Sequence, residues 1–233
     1  MKQTLAVLAA GLASIAMGSA HAVAIPTTHS TTAGTTYTTP ALTGFTTNGA
    51  QMVGSSVTVK YASGATDTQS WAATGAVSGA ATGADWSLSL SGDSFGGSWI
   101  LAASGREGIV GFTFDGQPGD TIFDINGDSE LSPGSALGMA FSNGDSLAGL
   151  SAHGTYSNQL QLGGTLYGDL FVMLSVDITG GQLVGGQSLT FNADTDNAAA
   201  KGSITPSIPE PETYALMLAG LAAVGWVARR RKA

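Results

Sequence analysis

Through the middle of the chain, apolar residues recur at every second position. Val57 and Val59 alternate with polar neighbours, as do Trp86, Leu88 and Leu90, and then Val110, Phe112 and Phe114. The longest set is Leu170, Val172, Leu174, Val176 and Ile178, with Asp169, Ser175 and Asp177 among the opposite positions. A period of two belongs to a half-buried β-strand, whose successive side chains point to opposite faces. Leu189 with Phe191, and Ile204, continue the pattern, and no body segment carries a helical stripe with caps. The 34 glycines supply turns at short intervals, as hairpin-connected strands require. The pattern therefore predicts an all-β body, an antiparallel β-sandwich or jelly roll.

Both ends of the chain break this pattern. Lys2, an apolar stretch from Leu5 to Met17 and the small-x-small sequence Ala20-His21-Ala22 predict a signal helix cleaved after Ala22. At the other end, Thr213 to Ala228 carries no charge, and Arg229, Arg230, Arg231 and Lys232 follow at once. A helix of that length covers most of a hydrocarbon layer of about 30 Å. Its apolar residues surround the axis, which predicts a single transmembrane helix with its basic end in the cytoplasm. The expected organisation is a signal peptide (1–22), a Thr-rich leader (23–48), a β-sandwich body (49–206) and a C-terminal sorting segment (207–233). Within the second of these, Thr27 to Pro40 reads equally well as a flexible leader or as an edge strand, because Thr is a good strand former.

An ordinary anchor accounts for the apolar run and the basic block, but not for Pro209-Glu210-Pro211 just before them. Pro-Glu-Pro, an apolar helix and a terminal Arg cluster resemble the PEP-CTERM sorting signal of Gram-negative bacteria. Pro209, Glu210 and Pro211 match its motif, and Arg229, Arg230 and Arg231 its cluster. The resemblance implies processing by an exosortase-type membrane protease and association with exopolysaccharide and biofilm matrix. It also implies that the tail is removed, so that the mature protein keeps no membrane segment. The two prolines lack backbone donors and favour extended chain, which would hold the peptide open to a protease.

Charge narrows the partners. Between Val23 and Ser207 only Lys60, Arg106 and Lys201 oppose fourteen acids, a balance of -11. Such a surface excludes a nucleic-acid partner and tolerates divalent cations or neutral polysaccharide. The chain has no cysteine, so neither disulfides nor thiolate metal sites contribute. Trp71, Trp86 and Trp99 are expected in the core, although an exposed aromatic would stack on a sugar ring.

Candidate chemistry is sparse. Asp124, Asn126 and Asp128 stand at the one, three, five spacing of a calcium loop, in which alternate oxygens converge on a hard cation. The sixth and twelfth positions are Ser129 and Ser135 rather than Gly and a carboxylate. Glu130, Asp120 or Asp115 would have to complete the site, and a solvated turn explains the sequence equally well. Gly92-Asp93-Ser94-Phe95-Gly96 and Gly144-Asp145-Ser146-Leu147 imitate hydrolase motifs, but the first lies in a Gly/Ser-rich turn after an alternating strand, and the second lies mid-chain with no Asp-x-x-His anywhere in the sequence. His21 leaves with the signal peptide, and only His29 and His153 remain, too few for a catalytic zinc site. No catalytic residue and no required cofactor are expected. The sequence predicts an exported, non-enzymatic protein of the cell surface or extracellular matrix, structural or adhesive. The alternative is a secreted polysaccharide hydrolase working through paired carboxylates, or a carbohydrate-binding module.

Overall fold

A computed structural model of the chain describes residues 27–44, 47–125, 132–135, 137–143, 149–207 and 211–230. The predicted signal peptide lies outside them. The Thr-rich segment supplies β1 (Thr27–Thr31), β2 (Tyr37–Thr39) and β3 (Leu42–Thr43). Next come β4 (Ser56–Tyr61), β5 (Thr66–Ser70), β6 (Ala72–Ala73), β7 (Ser78–Thr82), β8 (Trp86–Ser91) and β9 (Trp99–Ala103). Then follow β10 (Ile109–Asp115), β11 (Thr121–Asp124) and β12 (Ser142–Asn143). The long strands β13 (Ser151–Leu162) and β14 (Thr165–Thr179) precede β15 (Ser188–Asn192), β16 (Thr195–Ala198) and β17 (Thr205–Pro206).

The strands form two sheets. The larger runs β17-β2-β13-β14-β10-β4-β5, with β1 also on β13 and with β11, β16 and β3 branching from β14. The smaller runs β12-β15-β9-β8-β7-β6. Their inner faces enclose one core, in which Trp71, Trp99, Phe114 and Phe191 meet with ring centroids 5.4 to 5.8 Å apart. All three body tryptophans are buried, and each indole N–H is satisfied: Trp71 on the Gly49 carbonyl, Trp86 on Asp67 and Trp99 on the Ala193 carbonyl. A second apolar cluster gathers Leu42, Ile122, Leu160, Leu162, Leu170, Val172, Ala198 and Ile204.

The sandwich follows the sequence pattern with three departures. Val110 is only half-buried while Ile109 and Phe112 are buried, because the β10–β4 register slips between Ile109 and Gly111; a bulge inserts a residue and reverses the phase of alternation. The five apolar residues of β14 do not share one face: Leu174, Val176 and Ile178 enter the first cluster, Leu170 and Val172 the second. Beside this change, Asn158 of β13 takes a left-handed φ of 61°, and its side chain accepts a hydrogen bond from Thr35 N at 3.0 Å. Finally, β1 and β2 run parallel to β13, not antiparallel. They reach it from far away in the chain, so no tight turn fixes their direction. Of the two readings of the Thr-rich stretch, strands are what forms.

The chain ends in α1 (Pro211–Arg230), a helix of 20 residues. It begins at Pro211 and not two residues later, since proline is tolerated in a first helical turn. Leu216, Met217, Leu218, Leu221 and Val224 are all more than half exposed, so this face of the helix does not join the core. Among the described residues no helix is long and apolar enough to cross a membrane.

Candidate functional site

Three features carry chemical information: a buried acidic cluster, an outward row of hydroxyls and the C-terminal helix. The cluster lies where β11, β14 and β16 meet. Asp124 ends β11 and stands opposite Leu170, so that Asp169 is one residue from it along β14. Asp196 stands on β16 opposite Ile122, and Asp194 immediately precedes that strand. Backbone bonds lock the group: Asp124 N donates to Asp194 O, Ile125 N to Asp169 O, and Met139 N to Asp124 O. Asp194 N donates to Met139 O, drawing the 137–140 segment across the cluster.

All four carboxylates are at least 96% buried. Burial of charge in a poorly solvating interior is costly without compensation. Asp194 is compensated in part, since its Oδ1 accepts from Ser94 Oγ and from Thr195 N, each at 2.8 Å. Desolvation, with Asp124 and Asp93 adding repulsion, nevertheless pushes its carboxyl up to about 7. Asp196 is also pushed up to about 7, first by desolvation and then by Asp194 and Asp124. The nearby Ser135 hydroxyl eases its charge slightly, but neither Asp196 oxygen nor Ser135 Oγ makes a hydrogen bond of acceptable geometry. Among the described residues, no positive group enters the balance of either carboxylate.

Backbone fits tightly against these groups. A Cβ on Gly44 would stand 2.5 Å from the Gly134 carbonyl oxygen and 2.8 Å from Asp196 Oδ1, and one on Gly138 would collide with Asp124 Oδ1. Among the described residues, no group of three or more His, Cys, Asp or Glu side chains is arranged to hold a metal ion in this conformation.

The sequence pointed to only one member of this cluster, Asp124. Asn126 and Asp128, its proposed partners in a calcium loop, lie outside the described residues, as does Glu130. Asp115 accepts from Gln117 N within its own turn, whereas Asp120 accepts from Gly202 N and ties its loop to the turn before β17. Asp194 and Asp196 were missed. Their one signal is an Asp-x-Asp pair directly after the apolar positions Leu189, Phe191 and Ala193, where turn chemistry is the easier explanation.

Ser94, the hydroxyl of the Gly-x-Ser-x-Gly string, is fully buried and donates to Asp194. Its Oγ also accepts from Thr195 N at 3.0 Å, so it ties β16 to the loop after β8. The second hydrolase-like string, 144–147, lies outside the described residues. His153 is engaged by Thr28 and Ser30 of β1, at 2.6 and 2.9 Å.

On the outer face of the larger sheet, Ser30, Thr155, Ser175, Thr113, Thr58 and Thr68 stand opposite one another across six strands. Adjacent hydroxyls bond at 2.8 Å between Thr58 and Thr68 and 3.0 Å between Thr113 and Ser175. At strand spacings near 4.8 Å the row is about 24 Å long.

Of the sorting residues, Pro211 opens the helix, Arg229 is exposed and Arg230 is the last helical residue. Pro209, Glu210 and Arg231 lie outside the described residues. Residues 207–232 match the family described as the PEP-CTERM protein-sorting motif. Neither a curated protein nor a solved structure matches the chain.

Proposed function

Because the chain ends in a PEP-CTERM protein-sorting motif, the mark of an exported exosortase substrate, we propose that it is a surface or matrix protein delivered by a temporary tether. The match over residues 207–232 carries this reading. In it, the helix rests in the inner membrane with Arg229, Arg230 and Arg231 on the cytoplasmic side. A membrane protease then cuts near Pro209-Glu210-Pro211 and frees the β body. Modest apolarity suits such a tether, which must hold the chain only until cleavage. The exposed apolar face of α1 supports the reading, since those residues have no place in the core.

At its destination the body serves as a structural or adhesive component that meets extracellular polysaccharide. The hydroxyl row supports this role. It offers donors and acceptors at regular spacing on a sheet, and an acidic body does not repel neutral glycans. No enzymatic step is invoked.

Intact-mass analysis of protein from culture medium and from membranes tests the proposal. Released protein is expected to lack both residues 1–22 and the basic end, while the membrane form keeps the tail. Released protein that retains Arg229 to Lys232 would overturn it.

A further inference from the structure

We propose that the buried acidic cluster is a calcium site, with Asp196 and Asp194 as carboxylate ligands, Asp124 beside them, and oxygens of the 134–135 backbone and side chain completing the shell. The starting point is Asp196. It is 99% buried, both of its oxygens lack a hydrogen-bond partner, and it faces Ser135, whose hydroxyl is equally unpartnered. Native folds rarely leave such groups unmet. A proton would remove the charge, but it would serve one Asp196 oxygen and leave the other without a partner. A cation answers both needs, because it neutralises charge and fills the lone pairs of several oxygens together.

The donor set selects the ion. The chain has no cysteine, His153 is engaged on β1, and the side chains acting on Asp196 are those of Asp194, Asp124, Ser135 and Asp169, all oxygen donors. Hard cations take such ligands. Magnesium demands a near-ideal octahedron and keeps several waters, whereas calcium accepts six to eight oxygens in irregular geometry, including carbonyls and hydroxyls. The Gly134 carbonyl oxygen and Asp196 Oδ1 both approach the bare α-carbon of Gly44, within 2.5 and 2.8 Å of where its Cβ would be. A side chain there would fill the space an ion and its ligands need. Ser94 and Thr195 already hold Asp194 Oδ1, orienting that carboxylate as outer partners orient metal ligands. In the ion's absence, mutual repulsion would oppose the carboxylates' convergence. Binding would draw the Asp194 and Asp124 side chains toward Asp196 beneath the 137–140 segment, which already crosses them.

The full chain, stripped with EGTA, is titrated with CaCl2 by calorimetry and followed by thermal unfolding with and without calcium. One ion is expected to bind with a Kd between about 10⁻⁷ and 10⁻³ M, the range spanned by sensor sites and extracellular modules. The midpoint should rise in calcium, fall again with EGTA and respond less to equal magnesium. Asp196→Asn is expected to weaken binding at least tenfold, and the exposed Asp177→Asn to leave it unchanged. Should Asp196→Asn fail to fold, Asp194→Asn and the wild-type titration decide. Absence of calcium binding by the wild-type chain at millimolar concentration, or undiminished binding by a folded Asp196→Asn or Asp194→Asn chain, overturns the site.

Discussion

The C-terminal helix and the acidic cluster are opposites in how they handle awkward groups. The helix exposes apolar side chains that a soluble domain would bury, with Leu216 74% and Val224 68% accessible. The cluster buries carboxylates that a soluble domain would expose. Each is unfavourable in plain water, and the two proposals supply the relief: a bilayer in one case, a cation in the other. The comparison also separates two jobs. In the proposed account the tail determines where the protein goes, and the body determines how firmly it holds together there.

Substitutions should respect this division, and the largest effect is expected in the tail. Replacing Pro209, Glu210 and Pro211 together by Ala should abolish release almost completely, as membrane and medium fractions would report, while leaving the unfolding midpoint of the body unchanged. An equal loss of stability would break the separation.

Trp99→Ala should do the reverse. Its ring meets Trp71, Phe114 and Phe191, and its N–H bonds to Ala193 O. Removal should cost roughly 3–5 kcal/mol in denaturant unfolding, with sorting of the folded fraction intact.

Ser94→Ala comes next. It removes a donor at 2.8 Å from a buried carboxylate, and the expected loss is about 1–3 kcal/mol. A catalytic role would instead leave stability untouched.

The pH response of the calcium-free protein gives a fourth check. Asp194 and Asp196 are raised to about 7 in the fold, above the ordinary carboxylate value of about 4 that they regain on unfolding. Their stabilising contribution is then complete below about pH 4 and is lost as pH rises through 7. Thermal midpoints in EGTA should fall across that window, and a midpoint rising from pH 5 to 8 would contradict the burial described.

The smallest effect belongs to the outer row. Thr58→Val is half-buried on the solvent face and should shift stability by no more than about 0.5 kcal/mol. Its readout is retention on an extracellular polysaccharide, which should weaken.

What the sequence revealed follows the same division. The tail is legible because its signals are local: Pro-Glu-Pro, an uncharged run and four consecutive cations stand side by side. Strand alternation is also local, and it placed Val57, Val59, Trp86, Leu88 and Leu90 in the core, where they are found. It failed at Val110, where a bulge resets the phase, and at Leu170 and Val172, which join a different cluster from Leu174 without a distinctive residue in the strand to announce the change. Direction failed for β1 and β2, whose partner strand lies more than a hundred residues away. The acidic cluster was hidden for the same reason. Asp124, Asp169 and Asp194 come from distant parts of the chain, and each alone looks like a solvated turn.

The central claim, that the tail is a temporary tether for an exported β body, is tested most directly by comparing the protein from cells with and without their exosortase. With the enzyme, intact mass should show a released form ending upstream of Arg229. Without it, the protein should remain in the membrane fraction with Arg229 to Lys232 attached. The same shortened, released form in both cells would contradict the account.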